Sequence, residues 1–475
     1  MTYNNVAFEK KELLETWKQN FCSLPTFLME KSLVYLQNYK SSFENSENDI
    51  LLGFDIPNSK RIPVIFKNNP NDFIVREIIY NKVLPLKPSL FYKLPGKNSK
   101  NSGLYHALLI KENVETFKLI KNMKDYSKKN FNKKIGIYLS GIKDKHAKTV
   151  QRIAFTNVDK KEIQLLANAF PYIKLSKIIQ KEDKLRFGNL SGNNFNVKLR
   201  NLNEKNFEKG LNKKLLAHFQ ENINIPNYYG IQRFGYNKPI THLMGWYTLK
   251  RKIMKVLELQ ILTPTVNESE HLSAQRLQLF KELKDGNVEI LKKEELWDPI
   301  LNKERYYCIQ LIKNENKSYR INYTITMALL RFYVNSFSSF LFNFYLNTRK
   351  EEKLSDKEYL SGEIKVDNHL SAPVVGYGLN TQILDSDYQS LKIYDELLDQ
   401  CLVKYEDFDF SNDKHYWFSV QSSFRPVNIQ WWNLKLKIAK NTINMKVNLS
   451  SGTYFTSFVR PKIQLLNSIS LNKVY

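Results

Sequence analysis

At 475 residues, with 42% hydrophobic and 13% aromatic side chains, the chain is too long for one ordinary core and too apolar for general disorder, so two domains plus an extension are expected. The 72 lysines and arginines exceed the 47 acids by 25 charges spread along nearly the whole length, a field that attracts a polyanion but does not by itself choose among RNA, DNA and an anionic membrane surface. Cys22, Cys308 and Cys401 form no CxxC pair and none has a histidine at zinc-ligand spacing, which points to a reducing compartment and to no metal site.

The N-terminus, MTYNNVAFEKKELLETWKQNF, carries acids and lacks both the apolar core of a secretory signal and the acid-poor profile of a transit peptide. A cytoplasmic location is expected, or a nuclear one in a eukaryotic source. Residues 1–60 read as a helical extension, with Leu13, Leu14 and Trp17 spaced for one face, followed by the polar passage Ser41–Ile50. From Arg61 the texture becomes β-rich around an Asn-Pro-Asn-Asp turn, RIPVIFKNNPNDFIVREIIY, and here the folded core is expected to begin.

GLYHALLIKENVETFKLIKNMKDYSKKNFNKK predicts a strand running into a helix, its apolar face drawn from Val114, Phe117, Ile120 and Met123 and its other face rich in lysine. Next, IGIYLS and TVQRIAF flank a polar turn whose only acid is Asp144, set between Lys143 and Lys145 beside His146. Opposite charges this close keep a carboxylate ionised, a property that serves catalysis or a plain solvated turn equally well. Further on, Phe195, Val197 and Leu199 alternate with Asn196, Lys198 and Arg200, the pattern of a half-buried strand entered through a Gly192-Asn193 turn.

IPNYYGIQRFG, residues 225–235, reads as a shaped loop between units, and beyond it helical patterns run to about residue 425. The most apolar stretch, Tyr323–Asn347, is interrupted by Arg331, Asn335 and Asn343 and repeats Leu330, Val334, Phe337, Leu341 and Phe344 at steps of four and three, as a buried helix does and a membrane span does not. The tail returns to alternation in LKLKI and MKVNL, so the second unit is expected to interrupt the first.

Four stretches, KNNPNDFIVREI, SGIKDKHAKTVQ, LSGNNFNVKLR and PNYYGIQRFG, with SGTYFTSFVR near the end, together resemble the TruD-type pseudouridine synthases in motif and order. The resemblance covers roughly residues 61–235 and 420–460. It implies an α+β fold: a catalytic core with a mixed, largely antiparallel sheet, formed by residues 61–225 and 426–475 and interrupted by an α/β insertion over 226–425. It also implies isomerisation of a uridine in RNA, tRNA first among candidates, with no cofactor. Separately from the resemblance, a monomer is the default expectation, and the polar interruptions of the apolar stretch argue against a membrane partner.

By its place in GIKDK, Asp144 matches the family's catalytic aspartate, and Lys67 a lysine positioned to pair with it. Phe195 and Asn193 match the GNxF element, where a ring would stack on the uracil. Phe73 and Glu77, four apart on one strand face, are expected to line the pocket, while Gln232 and Arg233 lie in the most distinctive loop as ligands of RNA or as a junction anchor. Lys143 and Lys145 are expected to face the RNA backbone. The chain departs from the family where Arg460 is followed by Pro461 and Lys462, a sequence that cannot continue a helix interior. The alternatives are a catalytically inactive RNA-binding protein or chaperone of the same fold and, with no signature in its favour, a DNA-binding protein.

Overall fold

The computed structural model describes residues 3–38, 52–54, 61–99, 103–186, 188, 190–200, 213, 215–217, 219, 224–235, 237–266, 268–313, 327–351, 359–379, 388–413, 418–439 and 441–467. The polar passage Ser41–Ile50 and the first residues of the apolar stretch, Tyr323–Thr326, lie outside them. The chain forms two compact units, one of Ser59–Ile225 with Ile429–Tyr475, the other of Met1–Asn58 with Pro226–Asn428.

The first unit is built on a sheet. Its strands, numbered along this unit, are β1 Ile62–Phe66, β2 Phe73–Ile79, β3 Lys82–Val83, β4 Leu104–Glu112, β5 Gly136–Leu139, β6 Lys148–Thr156, β7 Ile173–Gln180, β8 Gly192–Leu199, β9 Trp431–Ala439, β10 Thr442–Ser450 and β11 Ile463–Asn467. The order across the main sheet is β9-β10-β8-β2-β6-β4-β7, with β3 on β2 and β5 on β6. Only β2 and β6 run parallel within it, which makes the sheet mixed and largely antiparallel. β1 pairs in parallel with β11 as a separate ribbon.

Period-two alternation explains which face of these strands is covered. Phe73, Val75, Phe195, Val197, Leu199, Met445 and Val447 point to one side, where Phe66 of β1 and Phe455 and Phe458 of the short helix Phe455–Val459 close a core over them. Farther along the sheet, Ala107, Leu109, Ile153 and Phe155 meet the helices Thr116–Phe131 and Lys160–Ala169 in a second core. The lysine-rich helix is turned differently from its expected pitch. Phe117 is 58% exposed, and the buried face is Thr116, Leu119, Met123 and Ser127, because Glu115 caps the helix by accepting from Phe117 N and Lys118 N and so sets its first turn.

The Gly192-Asn193 pair is not a turn. Both residues are inside β8, where Gly192 lies opposite Ser450 and a Cβ at this position would fall 2.2 Å from the Leu449 carbonyl oxygen. Glycine here serves close strand approach. The departure at Pro461 is accommodated by ending the helix at Val459, with Arg460 as its cap.

The other unit is mainly helical. Its long helix, Met327–Glu351, buries Leu330, Val334, Phe337 and Leu341 completely, as the sequence period requires. Asn343 is polar for a specific reason: its Nδ2 donates to the Leu52 and Tyr229 carbonyls at 2.9 and 3.2 Å, and its Oδ1 accepts from Tyr229 N at 2.8 Å. Residues near the N-terminus belong to the same core. Leu13, Trp17, Phe21, Leu28 and Tyr35 are buried there, with Trp17 Nε1 donating to Thr263 Oγ1 at 3.1 Å and Tyr35 Oη to the Pro264 carbonyl at 2.7 Å. Among the described residues the three cysteines are unpaired, and no helix is long and apolar enough to cross a membrane.

Candidate active site

The site forms where three chain segments of the sheet unit meet. After β1, Lys67 adopts a left-handed backbone (φ 56°), and Asn69 Oδ1 accepts from Asn71 N and Asp72 N to close the Asn-Pro-Asn-Asp turn. Asp72, itself buried, receives both Nε and Nη2 of Arg200 at 2.7 and 2.8 Å. This bidentate pair pins the turn to the end of β8 and fixes where Lys67 can reach.

Lys67 extends over the rings of Phe73 (4.3 Å) and Phe66 (5.0 Å), and its Nζ donates to Asp144 Oδ1 at 2.8 Å. The two residues are 77 positions apart in sequence. Asp144 belongs to the loop joining β5 to β6, and its side chain keeps 33% of its surface open. Burial pushes the carboxyl's pKa up, but the charges of Lys67 and Lys111 and the Lys67 hydrogen bond outweigh it, holding the acid below the ordinary carboxylate range. The result is an accessible, ionised carboxylate with one oxygen fixed in place.

Lys111 of β4 supports this loop from below. Its ammonium is buried and donates to the carbonyls of Asp144 (2.7 Å), Val114 (3.0 Å) and Lys143 (3.3 Å), while Thr116 Oγ1 donates to the Lys143 carbonyl at 3.2 Å. Burial lowers its pKa to about 8, against the opposing pull of Asp144 and Glu115. The sequence reading missed Lys111. The available signal was a lysine inside the apolar run HALLIKE, where only a satisfied charge is tolerated.

Lys143 requires a correction. Instead of facing outward it is buried, with its Nζ 2.9 Å from Oε1 of the fully buried Glu77. Leaving either charge alone in that interior would be costly, and the pair resolves both. Glu77 Oε2 also accepts from Arg152 N at 2.8 Å, so this carboxylate ties β2 to β6 and to the Asp144 loop. Lys145 and His146 are exposed on the loop, His146 facing Asn113 Oδ1 at 3.1 Å.

Phe73 and Phe195 are both buried, packed against each other (5.9 Å between centroids) and against Phe455, so in this structure they form an aromatic base beneath Lys67. Asn193 is half-buried opposite Glu77 in the β2–β8 ladder. Gln232 and Arg233 belong to the other unit, in a short 3-10 turn, Ile231–Arg233. There Arg233 Nε donates to Ser339 Oγ at 3.0 Å and its guanidinium lies over Phe332, an anchor between this loop and the long helix.

The family model for tRNA pseudouridine synthase D (TruD) matches residues 56–375. The chain belongs to the TruD family. That membership makes it a pseudouridine synthase of the TruD type, an isomerase. Among its relatives, a "Probable tRNA pseudouridine synthase D 1" of Methanocaldococcus jannaschii is 28% identical over 84% of this chain and 95% of the relative. A TruD protein of Thermococcus sibiricus is 30% identical over 69% of this chain and 70% of its own length. A solved TruD structure from Methanosarcina mazei, 20% identical, superposes with a TM-score of 0.58 over 87% of this chain and 96% of that one, a likeness of fold.

Proposed function

We propose that this protein converts a specific uridine of tRNA to pseudouridine, with Asp144 as the catalytic carboxylate and no cofactor. The observation that carries the reading is the 2.8 Å Lys67–Asp144 pair on an accessible loop otherwise held by buried charges. The reaction breaks the bond between N1 and the ribose C1′, turns the base and forms a bond from C5 to C1′. The proton leaves C5 and N1 ends protonated, so the net change is an isomerisation. An ionised carboxylate is needed to attack the sugar or assist glycosidic cleavage, and a base to take the C5 proton.

Lys67 keeps Asp144 ionised and aimed. The Lys143–Glu77 pair and Lys111 hold the loop, and Phe73 and Phe195 supply the apolar base of the site, with Asn193 at its margin. Gln232, Arg233 and the rest of the helical unit serve RNA choice, and Lys145 a phosphate. Replacing Asp144 by Asn keeps the size and removes the charge. The Asp144→Asn variant is expected to lose pseudouridine formation on bulk tRNA while its RNA affinity stays within about twofold of wild type; normal turnover by this variant would sink the mechanism.

A further inference from the structure

The face of the sheet opposite the aromatic core is lined with lysine where β8, β10 and β9 lie side by side. Strand pairing places Lys198 opposite Asn444 and Asn444 opposite Lys437, while in the neighbouring row Asn196 is opposite Lys446 and Lys446 opposite Lys435. Lys435, Lys437, Lys446 and Asn196 are exposed, and Lys198 and Asn444 are half-exposed. The three strands contain no acidic residue, and among the described residues none of the four lysines takes part in an ion pair.

Two points separate this grid from an ordinary solvated surface. Lys435 and Lys446 are directly opposed across one ladder, an arrangement that destabilises a sheet unless an anion offsets the repulsion. Lysines on the edge strand β9 also discourage edge-to-edge pairing, and that accounts for Lys435 and Lys437. It does not account for Lys446 and Lys198, which sit on interior strands.

We infer that this lysine grid binds the phosphodiester backbone of the RNA substrate, at a segment remote from the reacting uridine. The inference rests on the RNA-modifying reading above. The segment must be a remote one because alternation sends these side chains to the face opposite Phe73 and Phe195, whereas Lys67 and Asp144 lie on the side of those rings. Contacts of this kind supply affinity and salt dependence without base readout.

The test uses the full chain with Lys198, Lys435, Lys437 and Lys446 all changed to Gln, beside a control with the same four changed to Arg. Binding to bulk tRNA and to a short uridine-containing single strand is followed by fluorescence anisotropy over a range of salt, and turnover is followed on tRNA. For the Gln variant the Kd and KM for tRNA are expected to rise on the order of tenfold near physiological salt, with the log–log salt slope shallower by about three. The kcat, the affinity for the short strand and the behaviour of the Arg control are expected to stay at wild-type values, and the thermal midpoint to stay level or rise as the Lys435–Lys446 repulsion disappears. Unchanged tRNA affinity, or an equal loss on tRNA and on the short strand, would overturn the inference. Normal turnover by Asp144→Asn alongside weakened tRNA binding by the Gln variant would instead reject the catalytic reading and leave the RNA contact standing.

Discussion

Lys67 shows how one side chain sets the chemistry of another. Asp144 combines burial, which favours the neutral acid, with nearby ammonium charge, which favours the carboxylate, and the charge wins. In Lys67→Met burial is left less opposed, so the folded-state pKa of Asp144 rises and the acidic limb of the rate profile should move to higher pH. A pH–rate profile of kcat/KM checks this, and an unmoved acidic limb would show that Lys67 does not tune the acid. The sign for stability follows from the same depression. The wild-type pair adds stability above the unfolded carboxyl's pKa of about 3.9 and loses it as pH falls through the lower folded value, an effect kept small by the exposure of the acid. At this scale the acid and its partner were legible through the GIKDK and KNNPND motifs. The burial of Lys143 was not, because its neighbour Lys145 has the same composition context and only the path of the loop sends one inward to Glu77 and the other to solvent.

Among the elements, strands were read more faithfully than the lysine-rich helix. Alternation over 195–199 specifies a face whatever the strand's neighbours, whereas the face of a helix depends on the residue at which it starts. Glu115 starts this one so that Phe117 turns to solvent and Leu119 replaces it in the core. Phe117→Ser is therefore expected to change stability by no more than about 0.5 kcal/mol, whereas Met123→Ala should cost about 2–5 kcal/mol, and chemical denaturation of the two variants distinguishes this register from one with Phe117 inside. The glycine of β8 was misread for a related reason. Gly-Asn is a common turn pair, and only the approach of Leu449 on a strand some 250 residues away reveals that the glycine makes room for a ladder.

In the whole molecule, two units form from interleaved stretches of sequence. The return of strand texture after residue 425 was enough to anticipate an interrupted sheet. The partner of the N-terminal helices was not readable, since an apolar stripe at Leu13 and Trp17 says that something is covered and not by what. In the structure these helices complete the core of the helical unit through Trp17, Phe21 and Tyr35. Deleting residues 1–38 is expected to lower the thermal midpoint by more than 10 °C or to yield aggregated protein; calorimetry showing an unchanged melt would mean that the core stands without them.

The position of β10 between β8 and β9 also has a consequence for synthesis. β8 is complete at Leu199, but the strand that covers its free edge begins at Thr442, after the whole helical unit has left the ribosome. At about 5–20 residues per second, that edge waits roughly 10–50 s for its partner. During this interval Phe195, Val197 and Leu199 lack the cover of Phe455 and Phe458, and the exposed ladder can recruit another nascent chain as readily as its own missing strand. The placing of the insertion thus makes the sheet unit, which starts earlier than most of the helical one, the later of the two to close.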